Sequence, residues 1–214
     1  MFAQFDSNRL RQPGHISMTF SSAPFLTVLL CAAAYLGGSV LFAIPVSRAF
    51  KLPDPRALGS TNPGATNVFR SGGWTPAAIT LLLDAGKGWL PVWTAQQWGL
   101  STTLQAAVAL CAVTGHMIPV FYHFRGGKGV ATALGAGLAL AHTTTLLMAA
   151  IWLLAMWRWR ISAMASLVAV LSGPLLSAML QPHTLPMFSL LALLVLVRHR
   201  NNLIRMAQGR ETRF

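Results

Sequence analysis

Apolar residues in this chain come in long, nearly unbroken runs separated by short polar or glycine-containing breaks. Such runs predict helices that are apolar all round rather than along one stripe. A helix crossing a hydrocarbon layer of roughly 30 Å at about 1.5 Å per residue needs about 20 such residues. Residues 24–46, 74–98, 102–121 and 161–180 reach that length, and 185–197 is a shorter final run. Residues 130–157 are too many for one ordinary span, and the polar patch at 142–145 reads as a turn between two short helices. The pattern therefore predicts an all-α integral membrane protein of seven transmembrane helices, some short. A polar tail over residues 1–23 precedes a single membrane domain over 24–214. Between the first two runs, residues 48–73 read as a long, polar, irregular connection, which in a compact protein is usually functional.

Composition supports the bilayer and charge orients the chain. Of 214 residues, 54% are hydrophobic and only 9% charged, far below the roughly 25% charged residues of a soluble domain. The formal net charge of +12 is not spread along one solvated face but falls in the breaks between apolar runs, which suits phosphorylated substrates and anionic lipid better than nucleic acid. With seven helices the breaks alternate sides. The turns near 99–101, 142–145 and 181–184 then carry no Lys or Arg, while every basic residue except Arg9, Arg11 and Lys87 falls on the other side. Positive residues mark the cytoplasmic side, so the N-terminus is expected outside and the C-terminus inside. Cys31 and Cys111 both sit within apolar runs, where packing is the economical role.

Three polar stretches on the predicted inner side carry candidate chemistry. Residues 121–132, FYHFRGGKGVAT, place Arg125, Gly126, Gly127, Lys128 and Gly129 just before an apolar run that reads as a helix. Glycines allow close backbone approach, and a helix N-terminus favours anions, so the stretch suits a phosphate. It is not a Walker A loop, which follows a strand. Residues 59–70, GSTNPGATNVFR, pack Ser60, Asn62, Gly64, Thr66 and Asn67 around a proline, and end in Arg70, a bidentate phosphate partner. These are also turn-forming residues that bond their own backbone. In residues 198–211, RHRNNLIRMAQGRE, His199, Asn202 and Arg205 recur every three residues, and in a helix continuing from the last span they share a face. Glu211 is the only acid after Asp84, and an arginine is its expected partner.

His116 reads more readily as a buried, satisfied histidine than as a base, although it remains a candidate substrate contact. Asp84 and Lys87 lie three apart inside a span, where ionisable groups are costly. A structural ion pair is the economical reading, with Lys87 then pointing towards the inner surface. The sequence lacks an HxxxxD pair, a GxSxG elbow, metal-ligand spacing and paired acids. Catalysis is left to positive charge and orientation, with no metal and no cofactor expected.

The stretches 59–70, 115–132 and 198–211, in this order and with DAGKG at 84–88, resemble the bacterial acyl-phosphate-dependent glycerol-3-phosphate acyltransferases of the inner membrane. The resemblance runs from about residue 24 to 211. It implies transfer of a fatty acyl group from acyl phosphate to the 1-hydroxyl of glycerol 3-phosphate, giving lysophosphatidate and inorganic phosphate. It implies catalytic roles for Ser60, Arg70, Lys128, His199 and Asn202, and phosphate binding by Gly126, Gly127 and Gly129. Thr61 stands where the family usually has glycine, and Arg125 where it usually has lysine. With no carboxylate apparent near these motifs, the expected base is His199 or the departing phosphate. A carrier for an organic phosphate is the alternative, but its site would be expected at the bilayer midplane.

Overall fold

The computed structural model describes residues 23–213 and holds among them ten α-helices, two 3-10 turns and no strand. All but the last residue of the expected N-terminal tail lies outside the described residues. Helices α1 (Ala23–Gly38) and α2 (Ala43–Ala49) divide what reads as one span, with a 41° bend between them. At the bend the Ser39 hydroxyl donates back to the Tyr35 carbonyl at 2.8 Å.

Helix α3 (Ala65–Gly72) corrects the reading of 48–73 as wholly irregular. It is short and strongly two-faced, with Asn67 and Val68 buried, and so gives no span-like signal in sequence. Gly73 then turns the chain at φ 76°, ψ −160°, a conformation open essentially to glycine alone. Helix α4 (Trp74–Gln97) and helix α5 (Thr102–Met117) follow, and a 3-10 turn at Val120–Tyr122 leads into the glycine-rich loop.

Residues 130–157 do form two helices, α6 (Val130–Leu140) and α7 (His142–Trp159), but the break is Ala141 alone. The patch at 142–145, expected as the turn, is the first turn of α7. Its polar side chains suit a helix start, and Thr144 donates across to the Gln181 side chain at 2.9 Å. Helix α8 (Ser162–Leu180), a 3-10 turn at Pro182–Thr184, helix α9 (Leu185–Arg198) and helix α10 (Arg200–Ala207) complete the chain. The last two helices meet at His199 with a 58° bend, so the tail helix does not run straight on from the final apolar helix.

Small residues bring the helices close. A Cβ on Gly88 of α4 would strike the Thr132 carbonyl of α6, and one on Gly135 of α6 would strike the Ala85 carbonyl of α4. The pair α1 and α5 repeats the device, Gly38 against Ala112 and Gly115 against Tyr35. Reciprocal glycine contacts of this kind let backbones approach without Cβ atoms between them. Outward-facing side chains are large and apolar. Trp74 is 79% exposed, Met179 73% and Leu82 70%, a surface that calls for an apolar solvent. Among the described residues, the segments Thr102–Tyr122 and Ser162–Leu180 are each long and apolar enough to cross a bilayer. The bent pairs formed by α1 with α2 and by α9 with α10 also qualify.

One buried cluster joins three parts of the chain. Lys87 Nζ sits 2.7 Å from Asp84 Oδ1 and donates to His116 Nδ1 at 2.8 Å and to the Val40 carbonyl at 2.5 Å. Asp84 is 1% exposed and Lys87 5% by side chain, so Lys87 stays inside and does not reach for the surface as the sequence suggests. Replacing Lys87 with Met leaves Asp84 buried without its cation, and should cost roughly 3–5 kcal/mol. Thermal unfolding in detergent measures it, and a further Asp84→Leu change should restore part of the loss. A single variant as stable as the parent would contradict the role given to this cluster.

Candidate active site

Two loops and two helix ends converge on one cavity of about 380 Å³. The first loop is shaped by Asn67 from within α3. Its side-chain amide donates to the Pro55 carbonyl at 2.6 Å and the Leu58 carbonyl at 3.0 Å, and its oxygen accepts from the Ser60 amide at 3.2 Å. Those bonds present Ser60 at the cavity, where Asn62, Gly64, Thr66 and Arg70 join it. Asn67, which the sequence offers as a substrate contact, is buried, does not line the cavity and holds the loop. Thr66 shares a hydrogen bond of 3.2 Å with Ser162 at the start of α8. Thr61 adopts φ 56°, which a β-branched residue rarely does. That conformation explains why glycine would be favoured there.

The glycine-rich loop is built differently from its expected role. Gly127 donates its N–H to the His116 carbonyl at 3.0 Å, and a Cβ on Gly127 would collide with the His116 ring. A Cβ on Gly126 would collide with the carbonyls of His116 and Met117. Arg198, the last residue of α9, donates to the Gly126 carbonyl at 2.6 Å and the Gly127 carbonyl at 3.1 Å. Gly126 and Gly127 therefore serve close packing, and neither lines the cavity, where phosphate binding was expected of them. Gly129 does line the cavity. At φ 76° it starts α6, whose first residues Val130 and Ala131 also face the cavity, so the N-terminal end of that helix lies at the site. Lys128 stands between them. His116 and Asp84 reach the cavity wall from behind the loop, while Lys87 does not.

Glu211, with no assigned place in the chemistry from sequence, lines the cavity as well. It accepts from Asn202 Nδ2 at 2.7 Å and from Arg205 Nε at 2.8 Å. Asn202 and Arg205 do not line the cavity and stand behind Glu211. The expectation that no carboxylate stands near the motifs is thus corrected. Return of the chain after α10 brings Glu211 back over the site, which spacing alone does not reveal.

The electrostatics are those of an anion site. Burial is the main cause lowering the Lys128 ammonium from 10.5 to about 8; Glu211 pulls the other way, and Arg205, Arg70 and Arg198 lower it further. Burial also lowers the Arg70 guanidinium, with Glu211 opposing. These groups sense each other's charge, so cations converge around one carboxylate. His199 is buried and neutral. Burial, then the Lys128 charge, pushes its ring to about 4. Its Nδ1 lies 2.8 Å from the Val195 carbonyl, which fixes the proton on Nδ1 and leaves Nε2 as an acceptor with no protein partner. Deeper in, the cavity becomes apolar between α6, α7, α8 and α9, lined by Leu134, Met148, Trp152, Val170, Phe188 and Leu191 among others. Sequence reasoning missed three participants: Arg198, Ser162 and Trp152, whose indole N–H donates to Ser166 at 3.1 Å beside the cavity. Arg198 belongs to the RHRN stretch, and its position at the end of an apolar run was the available signal.

A profile described as glycerol-3-phosphate acyltransferase matches residues 28–209. A glycerol-3-phosphate acyltransferase of Hahella chejuensis is 49% identical over 188 residues, covering 88% of this chain and 97% of its own. One of Neisseria meningitidis serogroup C is 48% identical, covering 85% and 94%. Among solved structures, PlsY (YgiH), an integral membrane glycerol 3-phosphate acyltransferase in its glycerol 3-phosphate form, superposes with TM-score 0.83 at 36% identity. That match covers 88% of this chain and 96% of that one. The lysophosphatidic acid form gives 0.82 at 34% identity, covering 88% and 95%.

Because Lys128 carries charge only below about pH 8, affinity of the protein for inorganic phosphate should fall as pH rises through that value. In Lys128→Arg the fall should move to higher pH, since guanidinium stays protonated. Titration calorimetry across pH 6.5–9.5 measures both, and an identical pH profile in the two proteins would remove Lys128 from the site.

Proposed function

The chain belongs to the glycerol-3-phosphate acyltransferase family and is an acyltransferase of phospholipid synthesis, and from that premise we propose that its donor is acyl phosphate and its acceptor the 1-hydroxyl of glycerol 3-phosphate. The observation that carries this reading is a single cavity with a cationic mouth and an apolar interior. A donor with a phosphate at one end and a hydrocarbon chain at the other matches both. PlsY in its glycerol 3-phosphate and lysophosphatidic acid forms supports the same acceptor and product class.

Arg70, Lys128 and the N-terminal end of α6 neutralise phosphate charge, while Ser60, Asn62 and Thr66 orient the acyl phosphate. Fixed donors aimed at developing charge in a water-poor site are worth more than in solution. Glycerol 3-phosphate lies against His199, whose unpartnered Nε2 accepts from the 2-hydroxyl and leaves the 1-hydroxyl free to react. The 1-hydroxyl oxygen attacks the acyl carbonyl carbon, the bond from this carbon to the phosphate oxygen breaks, and the hydroxyl proton leaves with the departing phosphate. Two observations favour the phosphate as proton acceptor. A ring depressed to about 4 is a weak base at neutral pH, and both Glu211 oxygens are already occupied by Asn202 and Arg205. Asn202 and Arg205 support the site by holding Glu211, and Asp84, Lys87 and His116 support the glycine-rich loop.

The seven-span reading places this mouth at the cytoplasmic side of the bacterial inner membrane. Support comes from the polar ends gathered there, namely Ser60, Lys128, Ser162 and His199, each at a break on the predicted inner side. Helix α6 has eleven residues, about 16 Å, and on this reading reaches only part-way across.

Purified protein given labelled glycerol 3-phosphate should form labelled lysophosphatidate with acyl phosphate and not with acyl-CoA. Product from acyl-CoA alone would overturn the donor assignment. Lys128→Ala should lower kcat/KM by about a hundredfold or more, and activity within threefold of the parent would contradict the clamp. His199→Gln keeps an acceptor but no base. It should raise KM for glycerol 3-phosphate with little change in kcat, whereas a collapse of kcat at normal KM would make His199 the base.

A further inference from the structure

The apolar part of the cavity ends at a defined floor. Along α9, lining residues run from His199 down to Phe188, about 16 Å at about 1.5 Å per residue. On α8 the deepest lining residue is Val170. One turn further stands Gly173, which does not line the cavity. There a Cβ would lie 3.1 Å from Met148 Cε and 3.2 Å from both Met148 Sδ and Phe188 Cδ1. Met148 of α7 and Phe188 of α9 therefore close over Gly173, with only the glycine's missing side chain leaving them room. Beside them Thr145, the deepest lining residue on α7, buries a hydroxyl with no partner. A chain end pressed on that hydroxyl gains less than one pressed on a methyl group.

We propose that this floor, Met148 and Phe188 seated on Gly173, sets the longest acyl chain the enzyme transfers efficiently. The proposal rests on the reading that the apolar groove holds the acyl chain. A donor whose chain reaches the floor fills the groove, and a longer one must bend out or displace Met148. Met148 is unbranched and adaptable, so the limit it sets is graded and not absolute.

Two substitutions should move the limit in opposite directions. Met148→Ala removes the stopper and deepens the groove, while Gly173→Ala pushes the Met148 and Phe188 tips into it. In a series of saturated acyl phosphates lengthened by two carbons at a time, the readout is the ratio of kcat/KM for a long donor to that for a medium one. A misfit of one or two methylenes in an apolar pocket is worth about tenfold or more. The ratio should rise by at least about that factor in Met148→Ala and fall comparably in Gly173→Ala. Each ratio is taken within one preparation, so loss of folded protein cancels, and damage alone cannot give opposite shifts. A third variant, Ala163→Leu, narrows the groove near its mouth and should penalise every donor beyond the shortest. If Ala163→Leu does so but both floor variants keep the parental ratio within twofold, the floor is not the limit although the groove holds the chain. If Ala163→Leu leaves all donors unchanged, the chain lies elsewhere, and the groove reading falls together with the floor.

Discussion

A lysine ammonium inside an apolar helix bundle is tolerable only if its charge and its hydrogen bonds are satisfied there. At Lys87 this requirement joins Asp84 on its own helix, the His116 ring on α5 and the Val40 carbonyl at the bend between α1 and α2. Because lysine can only donate, the His116 ring must accept at Nδ1, and its other nitrogen is turned beneath Gly127. The same residue's carbonyl holds the Gly127 N–H. A buried ion cluster thus fixes the floor of the glycine-rich loop, and Arg198 fixes its outer side through the two glycine carbonyls.

That clamp decides what the loop can do. With Gly126 and Gly127 committed to His116, Met117 and Arg198, the exposed chemistry is left to Lys128 and the first turn of α6. Lys128 sits where burial and three arginines all favour its neutral form, with Glu211 as the counterweight. An anion entering such a site would offset the charge that burial and the neighbouring arginines disfavour at Lys128. Glu211 is a balance for the cations, positioned by Asn202 and Arg205, while burial and the Lys128 charge keep His199 neutral, with its free nitrogen an acceptor.

Much of this was legible in the chain. The apolar runs located most of the helices, including the division of residues 130–157, because in a bilayer-facing helix nearly every position is apolar. The three polar stretches were legible as one site, since Ser60, Arg70, Lys128 and His199 combine charge with turn chemistry in places where an apolar helix has no use for either. Helix α3 was not legible, being too short and too polar to stand out. Nor was the start of α7, where Thr144 satisfies its hydroxyl on a residue 37 positions away.

Asn67, Asn202 and Gly127 show where reading by residue type ends. Each carries a group able to hold a ligand, and each spends it on the protein, on the Pro55 and Leu58 carbonyls, on Glu211 and on the His116 carbonyl respectively. Whether a donor faces ligand or scaffold depends on which distant groups come within hydrogen-bond reach, and no local pattern encodes that. By itself, then, the sequence determined the solvent the helices expect, the charge of the site and the residues that could serve it. Only the tertiary structure decided which of them face the cavity, that a carboxylate returns to it from the end of the chain, and that glycine at 173 leaves room for a floor beneath it.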